Sequence, residues 1–194
     1  MLQETNNDGE MSARDLNAIE NPKLKKLFDY WLLLKGDKKL PLRNDVNPID
    51  LAFMLGWILL IEIHPDPNSK ENFRFRYRLS GAELDKISRC SLQGHWAHEL
   101  NDDFQRQATI KAFQEAALTG KPNFYYVVLK KRGAKYLTYE RVTLPLATNE
   151  ANQPGMLLVG IQGVTEPASK QYYADLPAMQ ETKEKLTTQQ NNQK

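Results

Sequence analysis

The chain has 194 residues, 41% of them hydrophobic and 26% charged, enough apolar surface for a core and too much for a wholly disordered chain. Its 26 basic and 24 acidic residues leave a net charge of +2, too balanced for a dedicated nucleic-acid or membrane-surface binder. A single cysteine, Cys90, and three histidines exclude an internal disulfide and argue against a structural zinc cluster.

Residues 1–20 are polar, without the basic start and apolar run of a signal peptide. They read as a disordered N-terminal tail. The longest apolar runs, residues 51–55 and 57–61, are interrupted by Gly56 and too short to cross a bilayer, so a cytoplasmic location is expected. Residues 166–194 read as a mostly disordered C-terminal tail, because residues 181–194 contain one apolar side chain, Leu186. One domain is therefore expected over residues 21–165.

That domain opens at Asn21-Pro22, a good N-cap followed by a residue pre-set for the first helical position. Leu24, Leu27, Phe28, Trp31 and Leu34 then recur at helical spacing until Gly36. A second, shorter helix is expected from Asn47-Pro48 to Gly56. Residues 57–63 (WILLIEI) are nearly all apolar, the pattern of a central strand covered on both faces. After a polar turn, residues 72–79 (NFRFRYRL) alternate strictly, with Phe73, Phe75, Tyr77 and Leu79 opposite Arg74, Arg76 and Arg78. Residues 82–87 suit a short helix and residues 102–119 a longer one, ended by Gly120. Residues 123–132 and 135–146 read as strands joined through Gly133-Ala134, and residues 156–162 as the last strand.

Two strands, a helical middle and three more strands imply an α+β domain with a single antiparallel sheet. The order resembles the PAS fold, a five-stranded antiparallel sheet with helices on one face, here with an N-terminal capping helix. In detail it is similar to the stand-alone PAS-type proteins of proteobacteria, from about Leu24 to Val164. The residues that carry the likeness are Tyr30-Trp31, Pro41-Leu42-Arg43-Asn44-Asp45 with Asn47-Pro48, Phe75-Arg76-Tyr77-Arg78-Leu79 with Gly81, and Leu92-Gln93-Gly94 with Glu99-Leu100. The chain departs from that branch at Ser88-Arg89-Cys90. The resemblance implies signal sensing or protein interaction.

The chemistry-bearing residues narrow the function. Cys90 lies four residues before Gly94, whereas in light-sensing PAS proteins the cysteine follows the glycine that opens the central helix, and Tyr139-Glu140 stands where those proteins place asparagine. A flavin is therefore not expected. His95 and His98 flank Trp96, but the long helix has no histidine for a haem and only Glu99 is near as a third metal ligand. No haem, flavin or metal is expected as cofactor.

The arginine stripe of residues 74–78 and the cluster Lys130, Lys131, Arg132 and Lys135 are read as ion-paired or solvated surface, because the aromatics of the stripe's strand face the other way. Glu62 and Glu140 are available as cross-strand partners. That argues against nucleic-acid binding. No catalytic constellation is found, and no enzyme is expected.

The expected function is a sensory or regulatory module that binds a small apolar or aromatic ligand between the sheet and the helices of residues 82–119. Trp96, Phe113 and Tyr126 are the candidate walls, and His98 and Gln162 the candidate polar contacts. With about thirty mostly polar residues after Val164, the signal is expected to reach a protein partner in trans or to act through oligomeric state. The alternative is a ligand-free interaction module with a filled core. A homodimer is expected, with the helix of Leu24, Leu27, Phe28 and Trp31 covering the sheet's outer face at or beside the interface.

Overall fold

A computed structural model describes residues 4–6, 9–67, 72–88, 90–130, 136–149 and 153–163. Among these residues seven strands form one antiparallel sheet: β1 (Glu4–Asn6), β2 (Gly9–Arg14), β3 (Ile58–Pro65), β4 (Phe73–Ser80), β5 (Asn123–Lys130), β6 (Tyr136–Ala147) and β7 (Pro154–Gly163). Their spatial order is β1-β2-β5-β6-β7-β3-β4. The five strands expected from sequence make the contiguous block β5-β6-β7-β3-β4.

The N-terminal strands correct the expected disordered tail over residues 1–20. β2 pairs with β5 along its whole length, Gly9 opposite Leu129 to Arg14 opposite Phe124. Half of its residues are polar and Met11 is its one large apolar side chain, so hydrophobic count gives no strand signal. Backbone pairing to an otherwise open edge supplies the hydrogen bonds, and Met11, 6% exposed, supplies the apolar anchor. The expected tail over residues 166–194, the Gly133-Ala134 turn and the Lys131, Arg132 and Lys135 side chains lie outside the described residues.

Helix α1 (Pro22–Lys35) begins as its sequence predicts: the Asn21 side chain accepts from the backbone N–H groups of Lys23 and Leu24 at 3.0 and 3.3 Å. Its buried stripe of Leu24, Leu27, Phe28 and Trp31 packs on Leu60, Val142, Leu144 and Leu158, the outward residues of β3, β6 and β7. The helix thus covers its own sheet. The expected second helix is a run of 3-10 turns, Pro48–Trp57, kinked at Met54, which leaves helical geometry at φ −148°.

The other face carries α2 (Ala82–Ser88) and α3 (Asp103–Thr119). Asp102 caps α3 by accepting from the Gln105 N–H at 2.6 Å, and Gly120 ends it with φ 64°, a left-handed turn that favours glycine. Ala112 and Ala116 have no exposed surface, so α3 lies close on the sheet. Leu59 and Ile61 point to this inner layer while Ile58 and Leu60 point to the outer one. This is the two-sided burial that WILLIEI predicts.

Candidate functional site

Between the inner face of the sheet and helices α2 and α3 lies a cavity of about 70 Å³. Strand alternation decides which residues reach it. Tyr77 shares the inward face of β4 with Phe75, and Tyr139 and Arg141 share one face of β6. On α3, Gln105, Thr109 and Phe113 recur every four residues, one stripe aimed at the sheet. Leu59, Leu84, Leu92, Leu100 and Ile161 complete an apolar wall.

Arg141 is the unusual member. Its side chain is 2% exposed. One Nη2 hydrogen is donated to the Ala108 carbonyl at 2.8 Å, Nη1 donates to Thr109 Oγ1 at 3.2 Å, and Met11 Sδ lies 3.6 Å from Nη2. Its Nε has no hydrogen-bond partner among the described residues. No ion pair among the described residues reaches it either. A guanidinium stays charged in a protein interior, and burying an unpaired charge costs on the order of several kcal/mol.

Two phenols accompany it. Burial pushes the pKa of Tyr77 above its ordinary value, against the pull of the Arg141 charge; Tyr139 is shifted the same way for the same reason. Both are therefore neutral hydroxyl donors at physiological pH. The arrangement presents one fixed positive charge and two phenols in a largely apolar lining whose other polar side chains are Ser88, Gln105 and Thr109.

Of the five residues expected to line a pocket, the structure brings Phe113 to this cavity. Tyr126 faces away, because its neighbours Tyr125 and Val127 take the inward positions; it lies under Arg14, whose guanidinium is 5.2 Å from the ring centroid. Gln162 is likewise turned away by the inward Ile161, and its amide donates to the Ile161 carbonyl. Trp96 and His98 lie outside, where residues 94–97 run along the free edge of β4. The Tyr77 N–H donates to the His95 carbonyl there at 2.9 Å.

That edge also corrects the reading of the arginine stripe. Trp96 stands on the arginine side, with Arg74 4.2 Å and Arg76 5.8 Å from its ring centroid. Arg74 Nη2 is 3.0 Å from His98 Nε2, Arg76 donates to the Gly94 carbonyl, and Arg78 lies 3.8 Å from Glu62. Burial and the Arg74 charge hold the His98 pKa below its ordinary value. A shallower hollow of about 200 Å³ beside Arg74 and His98 has no comparable buried charge.

His95 pairs with Glu99 at 3.3 Å. Cys90 is half-buried and packs against the inner apolar cluster rather than lining the cavity. No group of three or more His, Cys, Asp or Glu able to hold a metal occurs among the described residues. Among them, too, no helix is long and apolar enough to cross a membrane.

Sequence reasoning missed Arg141, Tyr77 and Tyr139 as a set. The one signal was their placement: in residues 136–147 the face carrying Tyr139, Arg141 and Thr143 is polar and the face carrying Val142, Leu144 and Leu146 is apolar. Taken alone, that pattern assigns the polar face to solvent. Both faces are covered, so the polar one is interior.

The family model described as PAS domain matches residues 19–161. No curated protein matches. Among solved structures, an RNA-binding Light-Oxygen-Voltage receptor is similar at 9% sequence identity with a TM-score of 0.38. The match covers 95% of this chain, which spans 44% of the length of that one.

Proposed function

The chain belongs to the PAS domain family, and from that premise we propose that it is a sensory module whose small-molecule ligand occupies the Arg141 cavity and whose signal passes to a protein partner in trans. One observation carries the reading: a cavity walled largely by apolar side chains holds a buried guanidinium with no counter-charge among the described residues. A small ligand-binding site has this character, an apolar enclosure with a few placed polar groups. The alternative, a ligand-free interaction module, leaves Arg141 with the Ala108 carbonyl, the Thr109 hydroxyl and the Phe113 ring, 5.8 Å away, but no anionic partner among the described residues.

The test is mass spectrometry of protein purified natively and then denatured. A stoichiometric small molecule supports the sensor. A blank, with no thermal shift across a metabolite panel, supports the interaction module.

Neither haem nor flavin belongs to this reading. A cavity of about 70 Å³ is far smaller than the pockets of roughly 300–1,000 Å³ that enclose drug-sized groups. We assign no catalytic role and no nucleic-acid partner. The homodimer is retained as part of the proposal. Leu32 and Leu33, on the side of α1 away from its sheet, are 44% and 78% exposed and are its natural contact. Sedimentation of the full chain and of a Leu33→Glu variant reads this directly: a dimer that the substitution splits supports it, and a monomer in both rejects it.

A further inference from the structure

On the reading of the cavity as a ligand site, we infer that its occupant is a small aliphatic monocarboxylate, with the carboxylate paired to Arg141. Charge sets the class. Among the described residues, Arg141 is the one cationic residue lining the cavity and no acidic side chain lines it. A neutral ligand leaves the guanidinium unpaired, and a phosphate dianion brings one negative charge too many for a single buried cation. A monoanion balances the site.

Hydrogen bonding sets the head group. A carboxylate is acceptor-only, and beside the Arg141 charge the lining holds side chains able to donate, Tyr77, Tyr139, Ser88 and Gln105. Both Nη groups already hold protein acceptors, the Thr109 hydroxyl, the Ala108 carbonyl and the Met11 sulfur, so the carboxylate is held by the charge and single hydrogen bonds rather than by a bidentate fork. Size and walls set the tail. By the measure in which one water needs about 10–15 Å³, a 70 Å³ cavity has room for on the order of five non-hydrogen atoms. Leu59, Leu84, Leu92, Leu100 and Ile161 offer that tail no hydrogen-bonding side chain. Propionate and butyrate have the required head, length and apolarity.

The experiment uses the full chain, dialysed after reversible unfolding to empty the cavity. Sodium propionate, sodium butyrate, propionamide and sodium phosphate are titrated by calorimetry and thermal shift at matched ionic strength. The expected result is saturable binding of propionate or butyrate, with propionamide and phosphate inert. In Arg141→Met, which keeps an unbranched apolar stem, carboxylate affinity falls roughly 30-fold or more, as truncating one member of a buried charge pair does. Tyr139→Phe, which keeps the ring, weakens it about three- to tenfold without unfolding the protein. It keeps the inference testable if Arg141→Met does not fold.

Propionamide binding as well as propionate, or phosphate binding through Arg141, overturns the monocarboxylate. So does carboxylate binding that survives Arg141→Met in a folded protein. If no probe binds, the natively purified protein separates the two claims: a different stoichiometric molecule sinks the monocarboxylate and leaves the sensor, whereas a blank sinks both.

Discussion

Replacing Trp31 by alanine removes the anchor that holds α1 to its sheet. The indole is 3% exposed, lies within the outer cluster beside Phe28, and donates its Nε1–H to the Pro145 carbonyl at 2.9 Å. That carbonyl needs the donor. Pairing of β5 with β6 ends at Asn123 opposite Thr143, so at Pro145 the strand has a ladder partner, Leu157 of β7, on one side only. Truncating a buried aromatic to alanine costs about 3–5 kcal/mol. Trp31→Phe keeps most of the packing and loses the hydrogen bond, an expected cost of about 1–2 kcal/mol. Urea unfolding gives both numbers from midpoint shifts at constant slope. If Trp31→Ala moved stability by less than about 1 kcal/mol, α1 would not be packed on the sheet in solution, and the covered outer face would be wrong.

Three further outcomes check other parts of the structure. Phe75→Ala, at 2% exposure, is expected to cost about 3–5 kcal/mol and Arg76→Ala on the opposite face about 0–1 kcal/mol; equal losses in denaturation would invert the strand's faces. A Cβ on Gly81 would stand 2.4 Å from the carbonyl carbon of Gly56, a backbone atom that cannot swing aside, so Gly81→Ala is expected to cost roughly 1–3 kcal/mol. An unchanged urea midpoint would refute that close crossing. In alkaline titration the folded protein keeps protons on Tyr77 and Tyr139 above the ordinary 10.0, where the unfolded chain releases them. Stability therefore falls as pH rises past that value. At least two of the eight tyrosines should ionise only as the protein unfolds, and simultaneous ionisation of all eight in folded protein would contradict their burial.

The fold was legible where one periodicity ruled a segment. NFRFRYRL alternates and is β4; Asn21-Pro22 and the stripe to Trp31 are α1. β1 and β2 were not legible, because β2 takes its strand character from pairing to the edge of β5 and β1 from pairing to β2. The site was legible only in part. Phe113 follows from the helical stripe of α3, but Tyr126 and Gln162 needed the parity of their strands, which a shift of one residue reverses. Arg141 was invisible for a different reason. A charged residue in a strand reads as solvent-facing unless one knows which face of β6 lies under α3 and which under α1, and that is tertiary information.

Because both faces of the sheet are covered, β6 is a partition one residue thick. Arg141 projects into the cavity, and Val142, the next residue, has no exposed surface and packs in the layer beneath α1. Moving the β6 backbone from the cavity side is also moving the floor on which α1 rests, with no relay of side chains in between. From that floor to the outward leucines of α1 is one helix diameter, about 10 Å. The layer that seals the interior is thus also the shortest mechanical span from the interior to the surface.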